Sequence, residues 1–68
     1  MKVFINNTAL NIFKGARLSH VILKYSEQIY KQLMNKQIEI ADEKGNLMDD
    51  DGQVWEGIKL FTKTKQND

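Results

Sequence analysis

The chain contains no cysteine in 68 residues, and this combination constrains its fold more than any other feature. Neither disulfides nor thiolate metal sites can support so small a domain, so core packing must stabilise it alone. Hydrophobic residues make up 41 % of the sequence and charged residues 28 %, which is typical of folded domains. The length leaves room for one domain and excludes a full dinucleotide-binding fold or a cleft between two domains. We expect residues 1–64 to form the domain and residues 65–68 to be a flexible tail.

Short segments in which apolar residues alternate flank one segment with helical spacing. The alternating segments predict a hairpin over residues 2–5 and 8–14, a strand over 37–40, a very short strand near 47–48 and a last strand over 58–64. The helical stripe consists of Leu18, Ile22, Tyr25, Ile29 and Leu33. It predicts one continuous helix that begins at Leu18 or Ser19, with Ser19 as its N-cap, and ends near Met34. The fold class is therefore α+β, with a mixed four- to five-stranded sheet packed on one helix.

This order of elements resembles the β-grasp (ubiquitin-like) superfamily, and its pattern is most similar to TGS and sulfur-carrier domains. The resemblance depends on the opening KVFINN hairpin, the GARLSHVI segment that begins the helix, and the closing DGQVWEGIKLFTK. It covers nearly the whole chain as a pattern of elements. The resemblance implies a small, non-enzymatic binding or adaptor module. Its TGS component implies an alternative, a regulatory module associated with nucleic acid or nucleotides.

A sulfur-carrier-like protein is the third alternative, and the end of the chain argues against it. Sulfur carriers and ubiquitin-like modifiers need a C-terminal Gly-Gly that can thread a narrow adenylating site. This chain ends instead in Lys65, Gln66, Asn67 and Asp68. It departs from that family pattern at the residues responsible for the chemistry.

Nothing in the sequence predicts catalysis, a cofactor or a metal site. His20 is the single histidine and lies beside no candidate nucleophile or acid, so we expect it to face solvent. Asp49, Asp50 and Asp51 precede Gly52, as in a calcium-binding loop, but Leu47 and Ile58 occupy two positions where that loop needs acidic ligands. We therefore predict an acidic turn and no enzyme activity.

The three phenylalanines are the candidate partner-binding residues. If Val3, Leu10 and Ile58 face the helix, the two-residue period of a strand turns Phe4, Phe13 and Phe61 to the opposite face of the sheet. Exposed aromatic side chains on a sheet favour an interaction surface, and ubiquitin-like proteins commonly use that face. We expect the partner to be another protein or a second copy of the chain. The alternative is that a loop, the tail or Trp55 covers the rings.

The positive charges suggest a second, weaker candidate site. Arg17, Lys24 and Lys31 recur every seven residues and would share one helix face able to contact a few phosphates. The alternative is a solvated helix surface, and Glu27 lies on the same side. The net charge is +1, but residues 1–38 have +5, residues 39–56 have −6 and residues 57–68 have +2, so the charges could help select a partner.

The remaining expectations concern Trp55 and location. We expect Trp55 to anchor the loop before the last strand on the core. No apolar run approaches the length that spans a bilayer, and no signal peptide is visible. The sequence therefore predicts a cytoplasmic protein without membrane contact.

Overall fold

The computed structural model describes residues 1–65 as a mixed five-stranded sheet with two helices packed on one face. The elements along the chain are β1 (Lys2–Ile5), β2 (Thr8–Asn11), α1 (Leu18–Tyr25), α2 (Glu27–Met34), β3 (Ile38–Asp42), β4 (Leu47–Met48) and β5 (Lys59–Thr64). The strand order is β2-β1-β5-β3-β4, in which β1 and β5 are parallel and the other neighbours are antiparallel. The α+β class and the mixed sheet are confirmed. Of the predicted tail, residues 66–68 lie outside the described residues.

The first hairpin is closed by two asparagines with positive φ. Asn6 has a φ of 48° and Asn7 a φ of 68°, as a two-residue turn between twisted strands requires. Strand β2 ends at Asn11, earlier than the predicted end at residue 14. The Ile12 N–H still donates to the Met1 carbonyl at 2.9 Å, so Ile12 remains beside β1 and its side chain is buried.

The prediction of one continuous helix is wrong, because the backbone is extended at Ser26. This residue has a φ of −162° and a ψ of 121°, and it separates α1 from α2. Its N–H donates to the Ile22 carbonyl at 2.9 Å, and its Oγ accepts from the Ile29 N–H at 3.2 Å. Ser26 thus ends one helix and caps the next. The predicted outer limits, Leu18 and Met34, are confirmed.

The start of α1 is held by the acidic turn rather than by Ser19, which the sequence suggested as N-cap. The N-cap is Arg17, whose N–H donates to His20 Nδ1 at 2.9 Å. The N–H groups of Leu18 and Ser19 donate at 2.9 Å to the carbonyls of Gly52 and Asp50. The turn around Asp50 therefore satisfies backbone donors that a helix start leaves free, and it brings negative charge to the positive end of the helix.

One face of the sheet and the helices enclose the core. Its buried residues are Val3, Ile5, Ile12, Ala16, Leu18, Val21, Ile22, Ile40, Val54, Ile58 and Leu60. The expectation that Trp55 anchors its loop is wrong, because the Trp55 side chain is 56 % exposed whereas the preceding Val54 is 3 % exposed. The smaller residue enters the core in its place. Within residues 1–65, no helix has the length and apolar character needed to cross a membrane.

Candidate partner-binding face

The sheet has one face toward the helices and one face without a covering layer among residues 1–65. Val3, Ile5 and Leu60 belong to the core, so the residues that alternate with them point the other way. We call this second side the outer face. Its side chains are those of Lys2, Phe4, Ala9, Asn11, Glu39, Ala41, Leu47, Lys59, Phe61 and Lys63. The outer face is the surface that the sequence singled out for partner binding.

A row of apolar side chains runs across the outer face from the edge strand β4 to the central strand β5. Leu47 on β4 is opposite Ala41 on β3, and Ala41 is opposite Phe61 on β5. Leu47 is 60 % exposed and Phe61 is partly exposed. Ala41 is buried between its neighbours without belonging to the core cluster, as expected for a small residue between two large ones. Phe4, partly exposed on β1, lies diagonally across from Phe61.

Phe13 does not join the other two phenylalanines, so this part of the prediction is wrong. The β2 ladder ends at Asn11, and strand alternation therefore no longer determines the direction of Phe13. Its ring packs edge-on against the His20 ring of α1, with centroids 5.1 Å apart. Phe13 is 58 % exposed, but it lies beside the helix. His20 is exposed as expected, and it holds both this ring and the N-cap backbone.

The charges on the outer face are arranged by strand. Lys59 and Lys63 flank Phe61 on β5, and all three share the same face. On β3, Glu39 is directly opposite Lys63. The face is thus basic along β5, with one acidic residue opposite on β3, and the apolar row crosses both strands.

The helix residues considered for phosphate contact belong to different elements. Arg17 precedes α1, Lys24 lies in α1 and Lys31 lies in α2, beyond the extended Ser26. Arg17 is the N-cap of α1, and its backbone forms an isolated bridge with Gln53. The Lys24 ammonium donates to the Asn11 carbonyl at the edge of the sheet. The structure therefore gives these cations separate surroundings.

Asn6 has a structural role beyond the turn that the sequence predicted. The Asn6 amide bridges to β5, because its Nδ2 donates to Thr62 Oγ1 and its Oδ1 accepts from the Thr62 N–H, both at 3.1 Å. The Asn-Asn pair signalled a turn, but nothing local indicated this contact across 56 residues.

The Asp42 carboxylate organises the turn before β4. It accepts from the backbone N–H groups of Asn46 and Lys44, both at 2.9 Å. These bonds, that of Asn46 foremost, lower the pKa of Asp42 below its ordinary value of 3.8. The Asp-x-x-Gly-Asn composition of residues 42–46 signalled a turn, although not the carboxylate's part in it. Within the described chain, no three His, Asp or Glu side chains are grouped so that they could hold a metal ion.

Comparison of the chain with protein-family models and with curated protein sequences finds no match.

Proposed function

We propose that this chain is a β-grasp domain that acts as a non-enzymatic protein-binding module through its outer face. Strands β1 and β5, the first and last of the sheet, are parallel neighbours, which supports the β-grasp assignment. The pair α1 and α2 occupies the place of the single helix, with the break at Ser26 as a local variation.

The observation that supports the binding function is the apolar row on the outer face. Phe61 on the central strand β5 and Leu47 on the edge strand β4 expose apolar surface on a sheet face that no other element among residues 1–65 covers. Aromatic residues in such positions commonly anchor a protein partner, and a charged rim then sets its orientation. The core does not require them, because Phe4 and Phe61 lie outside the core cluster.

Heteronuclear NMR with extract from the cells that produce the protein tests this proposal. Extract proteins are added to the isotope-labelled chain, and the amide signals are followed. We expect shifts or broadening at Phe4, Phe61 and Leu47 and little change at Leu23, an apolar residue that is 47 % exposed on α1 and serves as the matched control. The variant Phe61→Ala should lose the response, whereas Leu23→Ala should retain it.

The same titration separates protein partners from nucleic acid. A response that survives nuclease treatment and moderate salt supports the proposal. A response abolished by nuclease and centred on the lysines contradicts it, since phosphate contacts depend strongly on salt. Equal changes at Phe61 and Leu23 also contradict it, because they would indicate non-specific association.

A further inference from the structure

The outer face is complementary to itself, and this property identifies a specific occupant. We propose that it binds a second copy of this chain in a two-fold symmetric, face-to-face dimer. This inference rests on the proposed function and names the partner for the same surface. It follows from the order of charges and side-chain sizes across β3 and β5.

Consider a two-fold axis that runs parallel to the strands between β3 and β5, above the outer face. Rotation about this axis places β5 of one copy over β3 of the other and keeps each residue at the same level along the strands. Because Glu39 and Lys63 are at one level within a copy, Lys63 then faces Glu39 of the second copy. By the same rotation Phe61 faces Ala41 of the second copy.

The side-chain sizes agree with this arrangement. The largest residue of the row, Phe61, faces the smallest, Ala41, of the second copy. The large side chain of each copy therefore fits the space that the small side chain of the other leaves. The rotation also places β4 over β1, with the exposed Leu47 at the level of Asn6 of the second copy, two residues beyond Phe4. Sheets packed in this way lie about 10 Å apart with nearly aligned strands, a spacing that interdigitated side chains of this size can fill.

The charges favour a second copy over a uniformly charged partner. In the dimer each contact occurs twice, so a Lys63–Glu39 pair is formed on each side of the axis. A purely acidic peptide or a nucleic acid would gain contacts with Lys59 and Lys63 but would be repelled by Glu39 on the neighbouring strand. The pair Glu39 and Lys63 therefore favours a partner that carries the same two charges in the opposite order.

The size of the contact indicates a weak, reversible dimer. Four strands at the usual spacing span about 19 Å, and the levels from Lys59 to Lys63 span about 14 Å. A flat footprint of this size lies well below the roughly 800 Å² per partner of standard interfaces. We therefore expect dissociation constants in the high micromolar range, which sedimentation velocity can detect at protein concentrations up to about 1 mM.

Charge exchange between two variants provides the decisive test. Lys63→Glu gives a face with two glutamates at this level, and Glu39→Lys gives one with two lysines. Each variant alone should self-associate at least roughly tenfold more weakly than the unaltered chain, because like charges face each other twice. An equimolar mixture should recover association as a heterodimer, since every glutamate then faces a lysine of the other variant.

The mixture also excludes the explanation that the variants associate weakly because of a charge repulsion within each single copy. Glu39 and Lys63 are opposite each other in the same sheet, so either substitution introduces a repulsion there. Mixing leaves that repulsion unchanged, and recovered association must therefore arise between copies. Circular dichroism of each variant verifies folding, and Leu23→Ala, on the far side of the molecule, should associate like the unaltered chain.

The outcomes distinguish this inference from the proposed function. Concentration-dependent dimerisation that Phe61→Ala abolishes and the mixture restores supports the dimer. A chain that stays monomeric up to about 1 mM, or a mixture as weak as its components, overturns the dimer. If extract proteins still shift the outer-face signals of such a monomer, only the dimer fails. If they do not, both proposals fail.

Discussion

At the residue scale, the two asparagines of the first hairpin have different roles despite sharing a positive φ. Replacing Asn7 by glycine should leave stability nearly unchanged, because glycine adopts that conformation freely. Asn6→Gly retains the turn but removes both amide bonds to Thr62. We expect it to lower the free energy of unfolding by about 1–2 kcal/mol relative to Asn7→Gly. Urea denaturation of the two variants measures this difference, and equal stabilities would show that the amide contacts contribute nothing.

Asp42 should make the stability depend on pH. Its folded pKa is lowered, so its contribution is fully present above the unfolded value near 3.8 and is lost as pH falls through the lower folded pKa. Asp42→Ala should therefore be less stable than the unaltered chain at neutral pH, and the difference should shrink at acid pH. Thermal unfolding at a series of pH values tests this expectation. Glu43→Ala, at an exposed neighbouring position, is the control, and a difference independent of pH would contradict the assignment.

At this scale, the sequence predicted the features that neighbouring residues determine and missed those that depend on contacts between distant residues. The turn at Asn6 follows from the conformational preference of asparagine, and the exposure of His20 follows from its place off the helical stripe. The bond from Asn6 to Thr62 requires the parallel pairing of β1 and β5, which no local pattern specifies. Phe13 was misplaced for a related reason, since alternation determines a direction only while the strand continues.

At the element scale, Ser26 divides a segment that the sequence predicted as a single helix. Ser26→Ala removes the Oγ that accepts from the Ile29 N–H and should destabilise the protein by about 1 kcal/mol. Ser26→Asp keeps an acceptor at the same N-cap and should retain most of the stability. Chemical denaturation of the three proteins provides the comparison. If the alanine variant were as stable as the unaltered chain, the cap would have no energetic role.

Helical periodicity could not reveal this break. Leu18, Ile22, Ile29 and Leu33 still face the sheet on both sides of Ser26, so the apolar stripe is maintained while one residue leaves the helix. The local signal was a serine followed by Glu27 in the first turn of α2, which is the composition of a helix start. The acidic turn that holds the start of α1 was less accessible, because its contacts come from residues about thirty positions later.

At the scale of the whole molecule, alternation predicted that the sheet would have two different faces, and it correctly assigned Phe4 and Phe61 to the outer one. It did not predict which residues would be neighbours across strands. The row from Leu47 through Ala41 to Phe61 depends on register, and its pair Ala41 and Phe61 joins two strands that are distant in the sequence. The charge order that supports the dimer depends on the same register. The sequence thus predicted the existence of the face but not its complementarity.

The side chains on the two faces of the sheet should contribute differently to the stability of the monomer. A domain of this length has a total stability of about 3–10 kcal/mol, and Leu60→Ala, which removes a fully buried core side chain, should lower it by about 2–5 kcal/mol. The adjacent Phe61→Ala should lower it by about 1 kcal/mol or less in dilute solution, because Phe61 contacts the outer face rather than the core.

The dependence of the unfolding midpoint on protein concentration distinguishes the two substitutions further. Dimerisation stabilises the folded chain, so the midpoint of thermal unfolding should rise as the unaltered protein is concentrated. Phe61→Ala should abolish that rise, whereas Leu60→Ala should keep it at a lower temperature as long as enough of the variant is folded. Differential scanning calorimetry at two concentrations measures both effects. Equal losses of stability from the two substitutions in dilute solution would mean that Phe61 stabilises the monomer, and its exposure would then provide no argument for a partner.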